Sequence, residues 1–245
     1  MSGHSKWATI KHKKAATDAK RGSLFTKLIK EITVAARSGG KPESNPRLRV
    51  AIERGKEASM PAENIERAIK KGTGELEGVS YEDITLEGYG PGGIAIYVEG
   101  VSDNKNRTTS EVRTIFTKKG GNMAGAGSVA WMFEKKGYIV VSKKTIDEDK
   151  LMGIVLDAGA EDMVVEDENY AITTSPTELF KVKKALDDNS IKTEDSEITR
   201  IPKTTVKVIG DEAKKVLDLV NSLEEHEDVQ HVYANFDLPD DLLKE

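Results

Sequence analysis

Cysteine is absent from this sequence of 245 residues, which excludes disulfides, thiolate nucleophiles and cysteine-ligated metals. Long apolar runs are absent as well, because no stretch approaches the roughly 20 apolar residues that a membrane-spanning helix needs. The basic start lacks the apolar segment of a secretory signal, and it is rich in lysine rather than in the arginine and serine of organelle transit peptides. We therefore expect a cytoplasmic protein without a membrane partner.

Known catalytic signatures are also missing. The sequence contains no G-x-S-x-G nucleophile elbow, no H-E-x-x-H zinc motif and no kinase-like set of motifs. A metal centre needs three or four convergent ligands, and the four histidines lack ligand spacing: they are His4, His12, His226 and His231. We therefore predict no metal, no cofactor and no small-molecule substrate, and an enzyme is the least favoured class of function.

Charge is distributed unevenly along the chain. The first 71 residues contain seventeen lysines and arginines against seven acids, a net charge of +10, whereas the whole protein has a net charge of −5. The remaining residues therefore carry −15. An asymmetry of this kind indicates that the basic part associates with polyanions.

The first 22 residues are predicted to form a mobile basic arm. Between Ser2 and Arg21 the only large apolar residues are Trp7 and Ile10, so a helix there would bury too little surface to offset its ordering entropy. A solvated tail is the alternative. The scarcity of acids and the position of Trp7 among lysines favour nucleic-acid binding. The candidate contacts are Lys6, Trp7, Lys11, His12, Lys13, Lys14, Lys20 and Arg21.

Residues 23–77 are predicted to form a three-helix bundle. Apolar residues recur at helical spacing from Leu24 to Ala36, Asn45-Pro46 is a typical helix start, and a third helix runs from Pro61 to Lys71 and is ended by Gly72. Basic residues are expected on the outer faces of these helices. Those singled out as nucleic-acid contacts are Lys27, Lys30, Arg47, Arg49, Lys70 and Lys71.

The rest of the chain alternates between strand and helix patterns, which makes the fold class α+β. Residues 78–136 and 203–245 are predicted to form one α/β domain, and residues 137–202, with the order βαββαβ, an inserted ferredoxin-like domain. The predicted strands are 94–101, 128–133, 138–142, 162–166, 170–174, 192–198, 204–209 and 229–236, and the predicted helices are 108–119, 147–157, 177–188 and 211–225.

Four glycines, Gly120, Gly121, Gly125 and Gly127, form a tempting phosphate-binding motif. A dinucleotide fingerprint follows a strand and opens a helix, whereas these glycines follow a predicted helix, and Ala126 stands where a P-loop requires lysine. A nucleotide site is therefore disfavoured. The segment is interpreted as a flexible helix-to-strand connection or as a loop whose bare backbone approaches a partner.

A polar loop contains Asn104, Lys105, Asn106 and Arg107 between a predicted strand and a predicted helix. Such a loop is typical of a turn with a helix cap. It also suits a contact loop, because asparagine and arginine offer fork-shaped donors to phosphates or base edges. The sequence leaves both interpretations open.

Stretches along the whole chain resemble one family; they are GHSKWATIKHKKAATDAKRG, FTKLIKEI with AAR, NPRLR, ENIERAIKKG, EGYGPGG, DNKNRT, GGNMAGAGSVAWMF, SEITRIP and VQHVYANFD. On these stretches the chain is identified as a member of the YebC family of probable transcriptional regulators, which includes PmpR-type repressors and mitochondrial translational activators of cytochrome c oxidase. The resemblance implies a helical bundle followed by two α/β domains, one inserted in the other, and nucleic-acid binding without catalysis.

Two functions are consistent with these observations. The first is a DNA-binding transcriptional regulator, although the exposed positions are mostly lysines, which position a protein on DNA without specifying sequence. The second is a ribosome-associated translation factor that uses the same cations on ribosomal RNA or tRNA and relieves stalled translation, with the glycine-rich and DNKNRT loops reaching the RNA.

Overall fold

The structure is a computed structural model that describes residues 18–166 and 168–238. These residues form an α+β fold, which confirms the predicted fold class. They separate into two compact units, the first containing residues 18–130 and 206–238 and the second residues 131–205. Most of the predicted arm lies outside the described residues, but its last five positions, from Asp18 to Gly22, belong to the first helix.

Three helices at the start of the first unit form the helical bundle: α1 (Asp18–Ala36), α2 (Pro46–Glu57) and α3 (Ala62–Thr73). The second helix begins as predicted, because the side chain of Asn45 accepts a hydrogen bond from the N–H of Leu48 (3.1 Å) and Pro46 takes the first helical position. The core of the bundle consists of apolar residues from all three helices, among them Leu28, Ile32, Leu48, Ala51, Ile65 and Ala68.

Gly72 lies where α3 packs against α1. A Cβ at this position would overlap the carbonyl oxygen of Thr33 and lie 2.6 Å from the Cβ of Ala36. The prediction that Gly72 ends the third helix is wrong, because the helix continues to Thr73 and Gly74 ends it with a left-handed φ of +83°. Glycine is needed at position 72 so that the two helices can approach each other.

After the bundle the chain forms β1 (Glu82–Tyr89), β2 (Ala95–Ser102), α4 (Lys105–Lys118) and β3 (Asn122–Ala124). The second unit follows with β4 (Phe133–Ser142), α5 (Glu148–Asp157), β5 (Ala160–Val165), β6 (Asn169–Thr174), α6 (Leu179–Asp188) and β7 (Thr193–Pro202). The chain then returns to the first unit with β8 (Val206–Lys207), α7 (Gly210–Glu224), β9 (Val229–Ala234) and β10 (Phe236–Asp237).

The main sheet of the first unit has the strand order β3-β1-β2-β9, and all neighbouring strands are antiparallel. Helices α4 and α7 pack against this sheet and against each other, and they bury Val112, Phe116, Val216 and Leu219. The strands β8 and β10 form a separate parallel pair.

The second unit has the predicted element order βαββαβ. Its strands are antiparallel in the order β5-β6-β4-β7, which places the first and third strands of the unit side by side at the centre. The core contains residues from the strands and from both helices, among them Ile139, Val141, Leu151, Val155, Ile172 and Leu186.

Several predicted strands differ from the structure. The predictions missed β1 and β3, and the strand predicted at 204–209 is reduced to Val206–Lys207. The strand predicted at 128–133 is wrong, because residues 130–132 form a 3₁₀ turn and a strand begins only at Phe133. In this segment the N–H groups of Val129 and Ala130 donate to the carboxylate of Glu87 rather than to a neighbouring strand.

The contact at Gly72 generates a first prediction. The Gly72→Ala substitution should lower the free energy of unfolding by about 1–3 kcal/mol, because the new methyl group forces α1 and α3 apart. The matched control is Gly22→Ala, at an exposed position of α1 where a Cβ would meet nothing within 4 Å. The control should raise stability by up to about 1 kcal/mol, since alanine is the better helix former. Urea denaturation of both variants measures the difference, and a stabilising Gly72→Ala would contradict it.

Candidate nucleic-acid interface

Most of the predicted contacts of the arm fall outside the residues that the structure describes. Lys6, Trp7, Lys11, His12, Lys13 and Lys14 are outside the described residues. Lys20 and Arg21 belong to the first turn of α1. The remaining predicted contacts are on the bundle and in the loops of the first unit, where the structure shows what each side chain touches.

Two predicted contacts on α1 are directed at the α/β part of the first unit. The ammonium group of Lys27 donates to the carbonyl oxygen of Glu224 (2.5 Å), at the end of α7. Lys30 is 6% exposed, and its ammonium group donates to the carboxylate of Asp228 (2.6 Å) and to the carbonyl oxygen of Glu227 (3.2 Å). Lys27 thus binds the bundle to the end of α7, and Lys30 binds it to the segment between α7 and β9.

Asp228 is fully buried and receives donors from two helices. Besides Lys30, its carboxylate accepts hydrogen bonds from the guanidinium of Arg107 (2.7 Å) and the hydroxyl of Thr108 (2.5 Å), both in the first turn of α4. Burial alone would raise the pKa of the Asp228 carboxyl, but the bonds from Lys30, Thr108 and Arg107 hold this pKa well below its usual range. We call these four residues the Asp228 cluster.

The DNKNRT loop caps the start of α4 and holds it to its neighbours. The side chain of Asn104 caps α4 by accepting a hydrogen bond from the N–H of Arg107 (3.1 Å), and the Arg107 guanidinium is held by Asp103 (2.8 Å) as well as by Asp228. Lys105 forms an exposed ion pair with Glu82 (2.8 Å). Asn106 is exposed on the first turn of α4. The helix-cap interpretation therefore accounts for Asn104.

Two of the four predicted glycines are explained by the fold. Gly120 has a left-handed φ of +79° just after α4, and the N–H of Gly121 donates to the carbonyl oxygen of Phe116 (2.8 Å). A Cβ on Gly121 would lie 2.6 Å from the carbonyl oxygen of Tyr89. Gly125 and Gly127 lie after β3, in an exposed segment that leads to β4.

The last turns of α1 and α3 and the first turn of α2 meet at one end of the bundle. The side-chain amide of Asn45, at the start of α2, donates to the carbonyl oxygens of Ala35 (2.7 Å) and Gly39 (2.8 Å). Gly72 of α3 packs against the final turn of α1, as described above. Basic residues on these turns are therefore brought to one region of the surface.

This region exposes Lys41, Arg49, Lys70 and Lys71, which we call the basic end. None of these four cations forms an ion pair with another described residue. Two neighbouring arginines are engaged within the unit: Arg47 forms a bidentate pair with Asp83 (2.7 and 2.9 Å), and Arg37 donates to the carbonyl oxygen of Tyr81 (2.7 Å).

Helix stability does not explain why the start of α2 is basic. Arg47 and Arg49 lie in the first turn, which begins at Pro46, and this turn contains no acid. Cations near a helix N-terminus oppose the helix dipole, at a cost of roughly 0.3–1 kcal/mol each. Lys70 and Lys71, at the end of α3, are favoured by the dipole of their helix. The helix dipole therefore does not account for the position of Arg49.

Two further observations concern the described parts of the chain, residues 18–166 and 168–238. No helix there is long and apolar enough to cross a membrane. No group of three or more histidine, aspartate or glutamate side chains in these residues is arranged to hold a metal ion.

The Asp228 cluster generates a stability prediction. The Asp228→Asn substitution should lower the free energy of unfolding by about 3–5 kcal/mol, because it leaves the charge of Lys30 buried without its counter-ion. The matched control is Asp103→Asn, which removes the partly exposed partner of Arg107 and should cost less than about 1 kcal/mol. Urea denaturation near neutral pH measures both, and equal losses would contradict the prediction.

The depressed pKa of Asp228 generates a second test. A carboxyl whose folded-state pKa is lowered contributes its stability above the unfolded-state pKa of about 3.9 and loses it as the pH falls toward the folded-state value. The stability difference between wild type and Asp228→Asn should thus be constant from about pH 7 to about pH 5 and shrink below about pH 4. Urea denaturation of both proteins across this pH range measures the difference in the free energy of unfolding. A difference that persists unchanged at about pH 3 would contradict the expected pH dependence.

Comparisons with known proteins cover nearly the whole chain. The family model for the TACO1/YebC protein N-terminal domain matches residues 5–75, and the model for the TACO1/YebC second and third domain matches residues 81–236. A probable transcriptional regulatory protein of Dictyoglomus turgidum is 56% identical over 246 residues, covering 100% of this chain and 99% of the relative. Another from Geobacter sulfurreducens is 58% identical over 239 residues, covering 97% and 96%.

A solved structure agrees with these matches. The crystal structure of a conserved hypothetical protein from Aquifex aeolicus is 52% identical and superposes with a TM-score of 0.87, covering 98% of this chain and 99% of the other. The similarity extends over the bundle and both α/β parts. The resemblance noted in the sequence is thereby confirmed, and the chain belongs to the TACO1/YebC family.

Proposed function

We propose that this protein is a non-enzymatic regulator of gene expression that binds nucleic acid through the basic end of its helical bundle. The observation that carries the proposal is the exposure of Arg49, Lys70 and Lys71 on adjoining turns of α2 and α3, and of Lys41 in the connection between α1 and α2, without ion pairs among the described residues. Lysine and arginine side chains of this kind neutralise phosphates and release counterions, which supplies most of the affinity for nucleic acid. The basic arm predicted from the sequence extends the same interface.

Duplex DNA is the first candidate target, and the names of the relatives support it. Each of the two relatives compared above is named a probable transcriptional regulatory protein. The cations of the basic end suit DNA phosphates, and phosphate contacts orient a protein on the duplex without reading its sequence. On this proposal, regulation of transcription follows from occupancy of DNA near a promoter.

Structured RNA is the second candidate, and the chemistry of α3 favours it. In a helix-turn-helix the N-terminal residues of the second helix contact base edges in the major groove. Helices α2 and α3 are joined by a short connection, but α3 exposes Glu63 and Glu66 in its N-terminal half, and two of its three cations, Lys70 and Lys71, lie in the last turn. Those acids would face DNA phosphates if α3 entered a groove. A contact through the end of the bundle is instead compatible with ribosomal RNA.

Removing charge from the basic end should change the salt dependence of binding. The double variant Lys70→Ala/Lys71→Ala should flatten the slope of log K against log salt on duplex DNA by about two units, since each phosphate contact contributes about 0.9. The control is Lys150→Ala/Lys192→Ala, which removes two exposed cations of the second unit. Filter binding or anisotropy at several salt concentrations measures the slopes. Equal slopes for the two double variants would contradict the proposed interface.

Trp7 distinguishes the two targets. An aromatic ring stacks only on bases that are unpaired or splayed out, which structured RNA offers and B-form DNA does not. If RNA is the target, Trp7→Ala should weaken binding to ribosomes by about fivefold to a hundredfold and leave duplex DNA binding unchanged. Phe180→Ala, which removes a partly exposed aromatic ring from α6, is the control and should affect neither ligand. A loss confined to a promoter duplex would identify DNA as the target.

A further inference from the structure

Helix α4 is basic, although it lies in the acidic part of the chain. From Lys105 to Lys119 the sequence has five lysines and arginines and one acid, a net charge of +4, whereas residues 72–245 together carry −15. Three of the five cations are paired with acids of the first unit; they are Lys105, Arg107 and Lys119. The other two, Arg113 and Lys118, form no ion pair with another residue that the structure describes.

Both of these cations lie on the side of α4 that is turned away from the core. Helical spacing places Thr108, Val112 and Phe116 on the buried side. The opposite side carries five exposed residues, which we call the outer face of α4: Ser110, Arg113, Thr114, Thr117 and Lys118. None of the five is acidic. The one acid of the helix, Glu111, lies beside this face, and its carboxylate is 3.0 Å from Nε2 of His226.

The two threonines of the outer face have oriented hydroxyl groups. The hydroxyl of Thr114 donates to the carbonyl oxygen of Ser110 (2.9 Å), and that of Thr117 donates to the carbonyl oxygen of Arg113 (3.0 Å). Because a carbonyl oxygen can only accept, each hydroxyl hydrogen is committed to the helix, and each Oγ1 offers only lone pairs to a ligand. Residues three positions apart are neighbours on a helix. The face therefore places two acceptors side by side, between two cationic donors.

This combination of donors and acceptors selects among polyanions. Phosphate oxygens in a nucleic-acid backbone only accept hydrogen bonds, so they suit Arg113 and Lys118 but not the two threonine oxygens. A ribose 2′-hydroxyl can donate to a threonine oxygen, whereas deoxyribose has no such group. The wide, shallow minor groove of an RNA double helix displays 2′-hydroxyls together with phosphates. Double-stranded RNA therefore matches the whole face, and duplex DNA matches only its cations.

We propose that the outer face of α4 is a second nucleic-acid surface, which binds the minor groove of double-stranded RNA. Arg113 and Lys118 bind phosphates, and the Oγ1 atoms of Thr114 and Thr117 accept hydrogen bonds from 2′-hydroxyls. The two cations are five positions apart, about 7.5 Å along the helix axis, so they reach different phosphates. This inference rests on the proposed nucleic-acid binding and adds a site on a helix that is not part of the basic end.

The first test uses three duplexes of one sequence and length: RNA, 2′-O-methyl RNA, which lacks the hydroxyl hydrogen, and DNA. The double variant Thr114→Val/Thr117→Val removes both acceptors at nearly constant shape and helix propensity. It should bind the RNA duplex about fivefold to tenfold more weakly than wild type and bind the other two duplexes equally well. The control is Thr145→Val/Thr204→Val, which changes two exposed threonines of the second unit and should alter no affinity.

The second test uses Arg113→Gln/Lys118→Gln, which removes both charges and keeps good helix formers. The slope of log K against log salt on the RNA duplex should flatten by about two units. In a quadruple variant this change should add to that of Lys70→Ala/Lys71→Ala, because the two pairs lie on different helices. The melting temperatures of all variants should equal that of wild type, since the altered side chains are exposed.

The outcomes separate this inference from the proposed function. If Lys70→Ala/Lys71→Ala flattens the salt slope and Arg113→Gln/Lys118→Gln does not, the outer face of α4 is not a contact surface, although the basic end stands. If the threonine variant binds RNA as tightly as wild type, or weakens on RNA and 2′-O-methyl RNA equally, the assignment to 2′-hydroxyls is wrong. If wild type binds none of the three duplexes, the proposed function fails, and this inference fails with it.

Discussion

The first unit depends on one buried carboxylate. Asp228 is fully buried yet ionised, and the cost of its desolvation is offset by bonds from Lys30 of α1 and from Arg107 and Thr108 of α4. These donors come from positions about 200 and 120 residues away in the chain. Asp228 is thus the buried centre of the attachment of the bundle to the α/β part, to which Lys27, Arg37 and Arg47 add further contacts.

The cations of the bundle serve two purposes that the sequence cannot separate. Helical spacing places Lys27 and Lys30 on the outer face of α1, which is correct for the bundle by itself. The end of α7 and the segment after it lie against that face, so Lys27 donates to the carbonyl oxygen of Glu224 and Lys30 to that of Glu227. Lys70 and Lys71 have a similar local sequence but remain exposed. Counting charges predicted that the bundle has a positive surface. Which lysines bind the rest of the unit and which stay exposed depends on long-range contacts that the count does not contain.

The elements were predictable where hydrophobic periodicity was strong. The three helices, β2 and the βαββαβ order of the second unit follow from spacing and capping residues such as Asn45. The failures were in segments with side-chain-to-backbone bonds. Val129 and Ala130 lie in an apolar run that is typical of a strand, but Glu87, some 40 residues earlier, takes their N–H groups. The sequence does not show that Glu87 is buried, because β1 itself was missed, so this contact could not be predicted.

Two buried acids thus organise the first unit in complementary ways. Asp228 draws the cationic side chains of Lys30 and Arg107 inward, while the four cations of the basic end remain exposed. Glu87 draws backbone N–H groups inward and leaves a neutral, glycine-rich surface on the loop. Both arrangements follow from the same requirement, because a buried carboxylate needs hydrogen-bond donors to offset the cost of its desolvation.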